Sequence, residues 1–231
     1  MDTNRDTGIM QRLTEIRESL PAHVALVAVS KNHPVELLLQ AYKAGQRIFG
    51  ENKAQEMDFK QKQLPKDIEW HFIGHLQKNK IRLIAPYVSV IQGVDSFESL
   101  KEIDRQAGKS KRKINCLLQI HIAQEASKFG FTLNNCREML LKGEWRELKN
   151  IEIVGVMGMA TFTDNMDQVF KEFQALTAFF NQVKKEFFPG SENFKTISAG
   201  MSEDHLVAIK AGSNMVRIGS QIFGQRVYNS H

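Results

Sequence analysis

The sequence predicts an α/β protein: a single compact (β/α)8 TIM barrel over residues 1–231, with an extra helix ahead of the first strand. Three observations carry this expectation. Eight short, near-continuous apolar runs rich in β-branched residues are spaced along the chain, as suits parallel strands buried on both faces. Helix-forming segments separate them, and that alternation implies βαβ units. No Pro/Ser/Gly-rich linker or low-complexity tract divides the chain, and ~200 residues is the low end for such a barrel. An open doubly wound sheet is the other arrangement of these units. Against it, no GxGxxG follows the first run, and eight repeats are a natural count for closure.

The elements follow in order. A helix over 10–20 precedes VALVAVS (24–30). Pro34 opens the helical VELLLQAYKAG, and Gly45 is its natural stop. RIFG (47–50) precedes a charged, helix-forming stretch over 51–64. EWHFIG (69–74) precedes a short helix over 78–84 that ends before Pro86. VSVIQGV (88–94) precedes SFESLKEIDRQAG, where Ser96 and Ser99 are both candidate caps. INCLLQIHI (114–122) precedes a helix over 132–148. IEIVGVMG (151–158) precedes the longest helix, 164–188. Its Val169, Phe170, Phe173, Leu176, Phe179 and Phe180 recur at helical spacing and are expected in the core. KTISAG (195–200) precedes SEDHLVAIKAG, which starts at Ser202 and stops at Gly212. MVRIGS (215–220) is the eighth run.

Composition narrows the class. The net charge is +5, but the basic stretches KSKRK (109–113) and QKNKIR (77–82) lie between apolar runs and read as solvated faces, so no nucleic-acid partner is expected. Cys116 and Cys136 form no CxxC pair, which suits a reducing compartment. Cys116 lies in an apolar run and is expected in the core. No apolar run nears the ~20 residues of a bilayer span, and the polar N-terminus has no secretory core. A cytoplasmic monomer without a membrane partner is expected. His71 and His121 lack metal-ligand spacing, so no metal is expected.

Active sites of this barrel lie at the C-terminal ends of the strands. That rule gathers Lys31, Glu51, Asn52, His75, Gln77, Asp95, His121, Gln124, Thr161, Ser198, Ser202, Arg217, Gly219 and Ser220 at one mouth. Lys31 admits two readings. Desolvation at an apolar mouth favours the neutral, nucleophilic amine, which forms a Schiff base with an aldehyde. Alternatively, the lysine snorkels to solvent. The loops after runs seven and eight shift the balance. Gly200 with Ser202, and Gly219 with Ser220, are each expected to open a helix, where backbone N–H groups and hydroxyls suit an anion. A lysine facing two such loops suggests a phosphorylated aldehyde, pyridoxal 5′-phosphate (PLP). Ser202 as a mere N-cap and Gly219 as a turn residue are the plainer readings.

AVSK (28–31), FGEN (49–52), WHFIGHLQKNK (70–80) and AGMSEDHLVAIKAGSNMVRIGSQIFGQR (199–226) resemble the YggS/PROSC family of PLP homeostasis proteins, in order and over nearly the whole chain. The resemblance implies a PLP-binding barrel similar to the N-terminal domain of alanine racemase. It implies that Lys31 carries the cofactor as a Schiff base. It implies that Ser202, Gly219 and Ser220 hold the phosphate, with Ser198 near ring or phosphate, and that Arg217 faces the pyridine nitrogen. An arginine there has no acceptor and is effectively always charged. It can only donate to an unprotonated nitrogen, which makes the ring a poorer electron sink than an acidic partner would.

The remaining polar residues are less defined. Asn52 is expected at the PLP 3′-oxygen or ring edge, or as a helix cap. Glu51 caps or pairs with Lys53. His75, Lys78 and Lys80 form a basic rim or a solvated helix face.

Two functions follow: a carrier that holds PLP and supplies it to apo-PLP enzymes, or a PLP-dependent amino-acid racemase. Racemisation needs a base on each substrate face. Tyr42, Tyr87 and Tyr228 have no evident claim to the mouth, and no second domain is expected after the eighth strand. The carrier is therefore favoured. A barrel aldolase using Lys31 without PLP leaves the phosphate loops and Arg217 unexplained.

Overall fold

The computed structural model describes residues 3–125 and 129–224. Among them, eight parallel strands close a barrel in sequence order: β1 (Ala25–Val29), β2 (Ile48–Glu51), β3 (Glu69–Phe72), β4 (Val90–Val94), β5 (Ile114–His121), β6 (Ile151–Met159), β7 (Thr196–Ser198) and β8 (Met215–Ile218). Closure comes from β8 against β1, with Ala25 opposite Met215 and Ala28 opposite Ile218. The helices are α1 (Thr3–Ser19), α2 (Val35–Lys43), α3 (Ala54–Gln63), α4 (Ile81–Ile84), α5 (Phe97–Lys109), α6 (Leu133–Lys142), α7 (Met166–Phe187), α8 (His205–Lys210) and α9 (Ser220–Phe223). All eight expected strands form, and α1 precedes the first.

Strand alternation sorts two apolar layers. Leu26 and Ala28 join the cluster packed under the helices, while Val27 points into the barrel and meets the space above Gly50. The helix α7 buries Val169, Phe173, Leu176, Phe179 and Phe180 in the outer layer, as its spacing predicts, whereas Phe170, also expected in the core, is half-buried and packs against it. Phe180 and Phe194 stack with centroids 4.9 Å apart. Cys116 and Cys136 are free, buried thiols. Burial pushes both thiols well up, Cys136 to about 12, so they pack as small apolar groups.

Element boundaries follow local chemistry. Ser96 caps α5 by accepting from the Ser99 N–H, whereas Ser99 is buried and bonds Ser96 and Asp95. Thr132 and Asn165 cap α6 and α7 in the same way. The helix expected over 132–148 breaks at Gly143, whose φ of +78° ends α6 before a 3-10 turn over Glu144–Glu147. The segment 78–84 also divides, into a 3-10 turn (Lys78–Lys80) and α4. Glu51 belongs to β2 rather than to the following helix. In β6, Val154 is an extra residue opposite β5, and the bulge brings Gly155 against Thr196, where a Cβ would strike the carbonyl oxygen. No helix among the described residues is long and apolar enough to cross a membrane.

Candidate functional site

A cavity of about 250 Å³ opens at the C-terminal end of the strands. Lys31, Asn52, Ser202, Arg217, Gly219 and Ser220 all line it, brought together from the ends of β1, β2, β7 and β8. Ser198 does not reach it. Its side chain is fully buried one layer below, where it accepts from Arg217 Nη1 at 2.7 Å and donates to Gln92 Oε1 at 2.7 Å. Ser198 therefore orients Arg217 and does not line the cavity.

Lys31 follows β1 on a turn. The Ser30 N–H donates to Gly50 O at 3.0 Å, and the His33 N–H donates to Ser30 O at 3.1 Å, so the turn departs from the sheet within three residues. Opposite it, Ser220 Oγ donates to Ser202 Oγ at 3.0 Å, and Gln221 Nε2 donates to Ser202 O at 2.6 Å. These bonds bring two hydroxyls together beside Gly219. A Cβ on Gly219 would lie 3.0 Å from Val29 O, so glycine allows β8 to close tightly on β1 just below Lys31. The helix expected to open at Ser202 begins only at His205. Gly200, with φ of +94° and Ala208 and His205 crowding its missing Cβ, and the Met201 N–H donating to Asp204 Oδ1, shape a turn first. Ser202 thus reaches the cavity from a turn, while Ser220 opens α9 as expected.

Arg217 is the buried cation of the site. Nη2 donates to Gly158 O at 3.0 Å, and no carboxylate pairs with the guanidinium among the described residues. Burial lowers its pKa to about 10, partly offset by the charge of Asp204, so it remains a cation at neutral pH. A polar chain continues beneath it. Because Arg217 only donates, Ser198 must donate onward to Gln92 Oε1, and Gln92 Nε2 then donates to His71 Nδ1 at 2.9 Å. His71 is held neutral, its pKa driven down to about 3 by burial, with its proton on Nε2. Such barrels usually fill their lumen with branched apolar side chains. Here a one-way polar chain fills part of it and fixes the guanidinium.

Asn52 has a buried Oδ1 with no partner among the described residues. It is not the cap of α3; that position is Lys53, which makes no side-chain cap bond. Glu51 does not pair with Lys53. It meets Lys60 Nζ at 2.7 Å. Lys78 and Lys80 do not line the cavity, but His75 does. The His75 ring stacks on Phe129 at 3.9 Å, and its Nδ1 lies 3.2 Å from Asp95 Oδ2. Thr161 is tied to Glu172 and the Gln124 N–H away from the cavity, and His121 Nε2 meets Glu125 O. Tyr42 bonds Asp67, Tyr87 has a buried hydroxyl without a partner, and neither lines the cavity; Tyr228 lies outside the described residues. Gln119, Met159 and Met201 line the cavity unforeseen: Gln119 lies inside an apolar run, where nothing separates a lumen residue from a core one, and Met159 and Met201 are apolar residues that carry no binding signal at the strand ends.

The family model for the N-terminal domain of alanine racemase matches residues 7–227. The pyridoxal phosphate homeostasis protein of Pasteurella multocida is 40% identical over 212 residues, covering 89% of this chain and 88% of that protein. The chain belongs to the YggS/PROSC family of pyridoxal phosphate homeostasis proteins. Another member of this family, from Schizosaccharomyces pombe, is 35% identical over 207 residues, covering 88% of this chain and 85% of its own. PipY of Synechococcus elongatus, solved with PLP bound, superposes with a TM-score of 0.84 at 33% identity, over 94% of this chain and all of that one. Alanine racemase of Clostridium difficile shares the fold at 16% identity, with a TM-score of 0.78 over 97% of this chain and 58% of its own. The family's barrel thus corresponds to part of the racemase.

Proposed function

We propose that this chain binds PLP in the mouth cavity, holds it as a Schiff base on Lys31, and serves PLP homeostasis by supplying it to apo-PLP enzymes. One observation carries the reading: a lysine, two convergent hydroxyls and a guanidinium with no carboxylate partner among the described residues line the same small cavity. The residues fit the cofactor on their chemistry. The Lys31 amine can bond an aldehyde carbon with loss of water. Ser202, Ser220 and the backbone at Gly219 offer donors and close approach to a phosphate. The unpartnered Asn52 Oδ1 needs a donor that the described protein does not give. Arg217 can donate to a ring nitrogen and cannot protonate it.

When bound, PLP supplies a reactive aldehyde and an electron-withdrawing ring. A guanidinium at the ring nitrogen weakens that withdrawal, which favours storage over carbanion chemistry. The relatives named as PLP homeostasis proteins support the same reading.

One observation keeps the racemase reading open. His75, oriented by Asp95 at the cavity, is a proton-transfer group in addition to the tyrosines. The test has two arms. Loaded protein mixed with an apo-PLP enzyme should restore its activity in proportion to the PLP it carries, up to one active site per loaded chain. Amino acids in deuterated water should keep their α-protons; exchange at about 1–10³ per second would make the chain an enzyme.

A further inference from the structure

The turn carrying Lys31 is held from behind by a buried charge network that no cofactor contact requires. Helix α3 directs Lys60 inward, where it is 2% exposed. Its ammonium donates to Ser30 O, Glu51 Oε1 and Glu56 Oε1, each at 2.7 Å. Ser30 Oγ donates to the same Glu51 oxygen at 2.6 Å. Glu56 Oε1 also accepts the Asn32 N–H at 2.6 Å. The residues on either side of Lys31 are therefore both tied to one ammonium–carboxylate cluster.

The turn needs such a hold. Asn32 has a φ of +62°, a left-handed conformation that costs free energy in a residue other than glycine and persists where its surroundings fix it. The cluster is also more than a neutralising pair. One carboxylate would balance the Lys60 charge, yet Glu51 and Glu56 both meet it, and burying an ionisable cluster is costly unless its geometry is good. Glu51 is fully buried, with Oε2 unpartnered among the described residues. Burial holds its carboxyl up at about 7, against the pull of Lys60 and with Glu56 adding to the rise. The Tyr87 hydroxyl, ahead of β4, is the other titratable group that feels Glu51.

We propose that Glu51, Lys60 and Glu56 are positioning residues that fix the turn around Lys31 and thereby present its amine to the cavity. This rests on Lys31 being the cofactor's anchor. Beyond the turn, Glu51 adjoins Asn52 and its carbonyl accepts the Ile73 N–H at 2.8 Å, both at the cavity, but no bond of the network reaches Ser202, Gly219 or Ser220, so it acts on the amine end and leaves the phosphate end unchanged.

The test separates positioning from stability. Trace acetylation of apo-protein, read by mass spectrometry, gives the reactivity of Lys31 relative to exposed Lys185. Borohydride trapping gives the rate of covalent PLP attachment. Glu56→Ala and Lys60→Met should shift the labelling ratio and slow attachment about tenfold, with reversible PLP affinity retained. Glu56→Gln keeps an acceptor oxygen and should restore both. If Lys60→Met does not fold, Glu56→Ala decides, because Glu56 sits at the partly exposed edge of the cluster. A folded Glu56→Ala protein with wild-type labelling and attachment overturns the proposal. Wild-type protein that attaches no PLP overturns the anchor reading instead, and the labelling ratio still judges the network.

Discussion

Arg217 donates to Ser198 Oγ at 2.7 Å beneath the cavity floor, and it is Ser198, not a carboxylate, that holds the guanidinium in place. A fixed cation is thereby kept ready for a ligand at the expense of stability, since a desolvated charge without a counter-ion is costly. Arg217→Met should leave the apo-protein within about 1 kcal/mol of wild type, or more stable. The same change should weaken PLP binding about tenfold. Urea denaturation and a PLP titration measure the two effects; a large loss of apo-stability would show that the guanidinium is structural.

Ser198→Ala and Ser202→Ala should divide stability from binding. Losing the Ser198 hydroxyl strands buried Gln92 Oε1 and one Arg217 N–H, a cost of about 1–3 kcal/mol, with little change in contacts to an occupant. Losing the Ser202 hydroxyl removes a donor from the cavity wall and should lower PLP affinity while leaving the denaturation midpoint near wild type. Equal effects on affinity would place Ser198 within the cavity after all.

Much of this was legible in the sequence, for one reason: in a parallel barrel, strand ends and function coincide. Lys31, Asn52, Arg217 and Gly219 follow from counting apolar runs and reading what ends each one. Ser198 was misplaced because it lies within a strand's last turn of the pleat, and the choice between cavity and layer beneath depends on how deeply β7 is set. Lys60 was illegible. In AQEMDFKQKQ it looks like any solvated lysine, and only the long-range approach of α3 to the β1 turn buries it. Gln92 and His71 lie inside apolar runs; their bond joins the neighbouring strands β3 and β4, and the bond from Ser198 to Gln92 joins strands 106 residues apart in sequence.

Glu51 and His71 make opposite contributions to pH-dependent stability. Glu51 titrates at about 7 in the fold against an ordinary 4.5, so the fold holds its proton longer. Its contribution is complete below 4.5 and is lost as pH rises towards 7. His71 titrates at about 3 against 6.5, so its contribution is complete above 6.5 and is lost as pH falls. Between 4.5 and 6.5 the two slopes oppose one another, each at most about 1.4 kcal/mol per pH unit. Wild-type stability should therefore vary less with pH in that window than that of either single variant. Glu51→Gln should make it rise with pH there, and His71→Asn should make it fall; denaturation curves at pH 4.5, 5.5 and 6.5 check both signs.

Gly219→Ala tests the close approach of β8 to β1. The added Cβ would press on Val29 O at 3.0 Å, two residues before Lys31. PLP affinity and the attachment rate should both drop, because the change moves the phosphate end and the lysine turn together. A fall in one alone would show that the two ends are mechanically independent.

The account stands on Lys31. Purified protein incubated with PLP should develop an absorbance band near the visible edge. Borohydride reduction followed by peptide mass spectrometry should find the reduced pyridoxyl group on Lys31, with Lys31→Ala protein showing neither band nor adduct. A wild-type protein that stays colourless and carries no adduct, or carries it on another lysine, would contradict the account.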